Sequence, residues 1–167
     1  LLPYAPYYGT HDATPLYIVT LSYLFDWTGD RALLARHLAS AEAAMRWVDE
    51  HGDRDGDGLQ EYRTRSSRGY YNQGWKDAGD AIPDETGSLA PLPLAIVELQ
   101  GYAYDAKRRL ARIHRLLGNE ERAGDVHGIG DRSEVLPDRV LIYAHAGEAA
   151  LAEVHARGSN PESALVR

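Results

Sequence analysis

The stretch Thr14-Pro15-Leu16-Tyr17-Ile18-Val19-Thr20-Leu21-Ser22-Tyr23-Leu24-Phe25-Asp26-Trp27-Thr28-Gly29-Asp30 decides the fold class. From Leu16 to Trp27 its apolar residues fall on nearly every face of a helix. A helix that is apolar all round is buried on both sides. Thr14 reads as its N-cap and Pro15 as its first-turn residue, where a missing N–H costs nothing. Gly29 ends this helix and Asp30 caps the next, which runs to about Glu50. That second segment is one-sided: Leu34, Leu38, Ala41, Met45 and Val48 recur at steps of four, three, four and three, while Arg31, Arg36, Glu42, Arg46 and Asp49 face water. Gly52 stops it.

The same pairing recurs downstream. Pro93 is expected to start a third helix that is apolar on most faces through Leu94, Ala95, Ile96, Val97, Leu99 and Tyr102. Its second half is basic and amphipathic through Leu110, Ile113 and Leu117, and it ends near Gly118. A fourth helix is expected from Asn119, and one more over about Val140 to Ala156. Alternation of buried and amphipathic helices predicts an all-α chain, an α-toroid or α-solenoid. The ~34-residue helical-repeat signature is absent. Residues 52–90 carry no long periodic segment, and a loop of ~40 residues inside a compact domain is usually functional. A single helical turn is expected near Trp75–Ala78.

The totals narrow the function. The chain has 167 residues and 18.5 kDa, one-domain size, with 44% hydrophobic residues. A formal net charge of −7 and a pI near 5.4 argue against a nucleic-acid partner. The basic clusters Arg63–Arg68 and Lys107–Arg115 are flanked by acids and read as solvated surface. There is no Cys, hence no disulfide or thiolate metal site, and no apolar run of ~18 residues to span a membrane. No secretory signal is visible, and the expected location is cytoplasmic. The chain starts Leu1-Leu2-Pro3 and its one Met is Met45, so it reads as a processed or, preferably, a partial chain.

Chemistry concentrates in Asn72-Gln73-Gly74-Trp75-Lys76-Asp77-Ala78-Gly79-Asp80, among Tyr62, Tyr70 and Tyr71. A Trp two residues before an Asp offers a flat apolar platform beside a carboxyl group. Sugars present apolar C–H faces and polar edges, so the pairing suits carbohydrate. An apolar neighbour also raises a carboxyl pKa, as an acid catalyst needs.

Four motifs carry a resemblance. They are Pro6-Tyr7-Tyr8-Gly9-Thr10-His11-Asp12-Ala13-Thr14-Pro15-Leu16, Gly52-Asp53-Arg54-Asp55-Gly56-Asp57-Gly58-Leu59-Gln60-Glu61-Tyr62, the Trp-Lys-Asp segment above, and Val97-Glu98-Leu99-Gln100-Gly101-Tyr102. In order and spacing they resemble bacterial amylo-α-1,6-glucosidase-type glycoside hydrolases, similar to the glucosidase domain of glycogen-debranching enzymes and to mannosylglycerate hydrolases. The resemblance covers roughly residues 3–123. It implies an (α/α)6 toroid (six-hairpin glycosidase type), which needs twelve helices, so residues 1–123 are expected to be a fragment of the catalytic domain. Residues 124–167, with Gly124-Asp125-Val126-His127-Gly128-Ile129-Gly130, match nothing in that pattern and read as a frame-shifted or truncated tail.

The resemblance also implies an inverting glycosidase acting on α-glucosidic oligosaccharides of the α-1,6 debranching type. One carboxylic acid protonates the leaving oxygen while a second carboxylate, roughly 6.5–9.5 Å away, activates water. Asp77 matches the general acid; a helix-capping Asp is the plainer reading. The base is expected beyond residue 167. Glu61, Asp80, Glu85 and Glu98 are base candidates by composition, and none matches the family position. The chain alone is therefore expected to lack a complete catalytic pair and to be inactive. Tyr8, Asp12, Trp75, Lys76, Gln100 and Tyr102 are the candidate substrate-binding residues. Capping is the plainer reading for Asp12, and core packing for Tyr8, Trp75 and Tyr102. His11 reads as a surface or core residue.

No cofactor and no metal are expected. Asp53, Asp55 and Asp57 open like a calcium loop, but position 12 of an EF-hand falls on Thr64, and a tight Asx/Gly turn fits better. Glu61, at position 9, would suit only a looser site. Rival readings are a mannosylglycerate- or trehalose-like substrate, a noncatalytic truncated helical carbohydrate-binding or scaffold protein, and a calcium-dependent carbohydrate-binding module. The expected partner is an oligosaccharide or α-glucan, with no nucleic acid and no membrane. A half-toroid would expose a large apolar face and aggregate.

Overall fold

Two helical hairpins form the frame. The structure, a computed structural model, describes residues 9–64, 69–76, 78–131, 141–143 and 151–153. Among them α1 spans Ala13–Thr28, α2 Arg31–His51, α3 Val97–Leu116 and α4 Glu120–Asp131. The described residues are mostly helical, and no helix among them is long and apolar enough to cross a membrane.

The joint between α1 and α2 follows the sequence closely. Gly29 takes φ 65°, a left-handed conformation that glycine adopts without a Cβ clash, and its N–H bonds to the Phe25 carbonyl. Asp30 then caps α2: its Oδ1 accepts from Ala32 N at 2.9 Å and Leu33 N at 3.0 Å. The expected stripe on α2 is the buried one, with Leu34, Ala41, Met45 and Val48 inside and Leu38 packed at the margin. It meets Ile18, Val19 and Leu21 of α1 and Ala103, Ala106, Leu110 and Ile113 of α3 in one core.

Three expectations about the helices are corrected. α1 starts at Ala13, and Asp12, not Thr14, occupies the N-cap position, without a side-chain cap hydrogen bond. α1 is buried on one side only: Tyr23 is 50% exposed, Leu24 44% and Trp27 87%, because α2 and α3 both pack against its other face. α3 starts at Val97, not Pro93. Leu94 is drawn into an antiparallel bridge with Tyr62, through Tyr62 N to Leu94 O at 3.1 Å and Leu94 N to Tyr62 O at 3.0 Å. A residue held in that ladder cannot also be helical.

The basic segment of α3 is paired rather than bare. Lys107 meets Asp49 at 2.8 Å, Arg109 meets Asp105 at 2.7 Å and Arg112 meets Asp26 at 2.6 Å. Arg109 and Arg112 also donate to Ser22 Oγ, a hydroxyl fully buried in α1. His114 is buried with Nδ1 unpartnered, and burial pulls its pKa down.

The insert between α2 and α3 has its own small core of Tyr62, Ile82, Ala90, Leu94, Ile96 and Leu99. Turns and two isolated bridges, Tyr62 with Leu94 and Pro83 with Leu89, carry it. Trp75, Lys76 and Ala78 are not helical, so the single turn expected there is absent among the described residues. Downstream, β1 (Leu141–Tyr143) pairs antiparallel with β2 (Leu151–Glu153) in the register Leu141 to Glu153, Ile142 to Ala152 and Tyr143 to Leu151. These strands replace the helix expected over 140–156, whose remaining residues lie outside the described ones.

Candidate functional site

Two helix N-termini and the insert converge on one group of side chains. α3 places Glu98 in its first turn and Tyr102 one turn later, on the same face. Asp12 stands at the start of α1, and Tyr102 feels the charges of both Glu98 and Asp12. The insert contributes Trp75 and Lys76. Lys76 Nζ sits 2.6 Å from Glu98 Oε1, and the Trp75 indole N–H donates to the same oxygen at 3.3 Å. The Lys76 ammonium also lies 5.6 Å from the Trp75 ring centroid, within cation–π range.

The electrostatics divide the two carboxylates. Burial alone would raise Glu98, but the Lys76 hydrogen bond and charge, the helix N-terminus and the Trp75 N–H outweigh it and hold the pKa below the usual range. Glu98 is therefore an ionised acceptor and a poor proton donor or base. Asp12 is 7% exposed, and burial raises its pKa despite the neighbouring backbone N–H groups of Asp12 and Ala13. Tyr102 is raised by burial first, then by the two carboxylates. Trp75 is 54% exposed, so an apolar ring is presented to solvent beside a half-buried ion pair.

The insert is fixed to the frame around this group. His11 N–H donates to the Gln73 carbonyl at 2.6 Å, which ties the start of α1 to the Trp-Lys segment. Asn72 is buried, donating through Nδ2 to the Ala78 carbonyl and accepting from Tyr62 Oη at 3.4 Å. A Cβ on Gly74 would lie 2.9 Å from Ile96 Cδ1, so the chain passes close to the start of α3 there.

Of the residues expected to bind substrate, Asp12, Trp75, Lys76 and Tyr102 come together. Gln100 does not join them. Its Oε1 accepts from Gln60 N at 2.7 Å, and its Nε2 donates to the Gln60 carbonyl at 2.8 Å and the Ile96 carbonyl at 3.1 Å. It is a latch between α3 and the insert. Tyr8 and Asp77 lie outside the described residues. The central residue is Glu98, which sequence reading takes only as a candidate base; the available signal was its place one helical turn before Tyr102.

His11 gives a pH prediction. Its ring packs 4.9 Å from Trp47, Nε2 has no hydrogen-bond partner, and burial lowers its pKa to about 4. An unfolded His titrates near 6.5. The unfolded state then binds the extra proton more tightly, so the contribution is full above about pH 6.5 and is lost as pH falls toward 4. The denaturation midpoint is expected to fall across that window in the parent chain and to fall less in His11→Phe. Urea melts of both between pH 7 and 4 check it.

Comparison with protein-family models, with curated proteins and with solved structures finds no match to this chain.

Proposed function

We propose that the chain is part of an (α/α)6 toroid glycoside hydrolase of the amylo-α-1,6-glucosidase type, acting in the cytoplasm on α-glucosidic oligosaccharides with inversion. The observation that supports this best is the grouping of Trp75, Lys76, Glu98, Tyr102 and Asp12 at the N-termini of α1 and α3. Aromatic faces suit the apolar faces of sugar rings. An ionised Glu98 and a half-buried Lys76 suit hydroxyl groups as acceptor and donor. Two consecutive helical hairpins, α1 with α2 and α3 with α4, are the kind of unit that a toroid repeats.

In this reading Asp77, next to Lys76, is the general acid, and the base is no residue of this chain. Glu98, held ionised by its ion pair, orients hydroxyls rather than activating water. The chain alone therefore binds sugar without turning it over. Titration with panose, which contains an α-1,6 bond, followed by intrinsic fluorescence, tests this. A saturable change is expected, roughly 5-fold or more weaker in Trp75→Ala, because truncating an aromatic anchor of a binding surface costs on the order of 1 kcal/mol or more. A parent chain that ignores panose and maltotriose at tens of millimolar would remove the proposal.

A further inference from the structure

The loop after α2 brings three carboxylates together. Asp53, Asp55 and Asp57 each offer an oxygen, and the three lie within 4.8 Å of one another. Two ligands of one calcium ion, each 2.3–2.6 Å from it, stand at most about 5 Å apart. The loop itself fixes these acids: Asp53 accepts from Gly56 N at 2.7 Å and Gly58 N at 3.0 Å, and Asp57 accepts from Leu59 N at 2.8 Å. Gly56 and Gly58 take φ 82° and 92°, which lets the chain fold back so tightly.

An acidic turn alone needs no ion. The second observation is Glu61. It is only 6% exposed, and its Oε2 has no hydrogen-bond partner. Its carboxylate reaches back across the loop, taking a hydrogen bond from the Arg54 backbone N–H and feeling the charges of Asp55, Asp57 and Asp53. A buried, unpartnered carboxylate oxygen under the charges of three other carboxylates is costly unless something positive lies among them.

We propose that residues 53–61 form a calcium site, with Asp53, Asp55, Asp57 and Glu61 as its carboxylate ligands. Counted from Asp53, Leu59 falls at the seventh place, which in such loops supplies a backbone carbonyl. Glu61 takes over, from the ninth place, the work of the acid missing at the twelfth. Calcium fits better than magnesium because the ligands are all oxygen on a flexible turn, whereas magnesium demands near-ideal octahedral geometry and keeps its waters. The site is independent of the sugar-binding proposal. It reaches the frame through Gln60, whose backbone Gln100 clamps, and through Glu61 N, which donates to the Gly52 carbonyl at 2.7 Å.

The test is calorimetric titration of the chelator-treated full chain with calcium chloride, with a thermal melt in calcium or in chelator. One site is expected, with Kd on the order of 10⁻⁵–10⁻³ M, and calcium raises the melting midpoint by several degrees. Glu61→Gln keeps the side-chain size and is expected to weaken binding at least ~10-fold, as one of four ligand charges is lost; Asp55→Asn acts likewise. Far-UV circular dichroism in chelator confirms that both variants retain the parent's helices. No heat and no shift at millimolar calcium would overturn the proposal. So would binding that both variants leave unchanged, or magnesium binding as tightly as calcium.

Discussion

Gly52→Ala is expected to destabilise the chain by about 1–3 kcal/mol, the range for forcing an extra methyl into a packed site. A Cβ there would collide with Gln60 Oε1 and stand 2.5 Å from the Val48 carbonyl oxygen. Neither can simply swing away. Gln60 is 8% exposed, its backbone is clamped on both sides by Gln100, and the Val48 oxygen already accepts the Gly52 N–H at 2.9 Å. The backbone of Gly52 is itself in the right-handed helical region, at φ −81° and ψ −40°, so the penalty is steric and not conformational. Chemical denaturation of the parent and of Gly52→Ala measures it. Gly52→Ala combined with Gln60→Ala should recover part of the loss, since the side chain that the methyl meets is then gone. A Gly52→Ala chain as stable as the parent would mean that the turn between α2 and the acidic loop is not packed this way.

Ile113→Ala is expected to cost more, about 2–5 kcal/mol. Ile113 is fully buried among Leu34 and Leu110, where α1, α2 and α3 meet. Removing its outer carbons leaves a void that three rigid helices cannot close. Because the insert has a separate cluster around Tyr62 and Ile82, the loss should appear in the helical signal at 222 nm and in urea melts of the whole chain. A loss below about 1 kcal/mol would contradict the shared three-helix core.

What a sequence shows of its own fold depends on the reach of each force. Gly29 and Asp30 were legible because a left-handed C-cap and an N-cap are decided within a few residues. The α2 stripe was legible because burial repeats with the helix turn. The start of α3 was not, since the bridge from Leu94 to Tyr62 depends on a partner 32 residues away. The same holds for the Gln100 latch, which reads as a polar side chain on a helix until Gln60 is seen beneath it. One-sided burial of α1 depends on what packs beside it, and composition says only that the helix could be buried. The aromatic and charged members of the site were visible as residue types. Their meeting on Glu98 was not, because Lys76 and Glu98 are brought together by the fold of an insert without periodicity. By position alone Glu61 suits only a looser site, and its burial and unpartnered oxygen depend on the fold.

The most direct test of the sugar-binding account is a ¹H–¹⁵N correlation spectrum of the labelled chain, titrated with panose. The account predicts shifts gathered on the Trp75 indole N–H and on the backbone amides of Asp12, Lys76, Glu98 and Tyr102, saturating together. Shifts gathered instead around the exposed Trp27 and Leu24 on α1, or none at all, would contradict it.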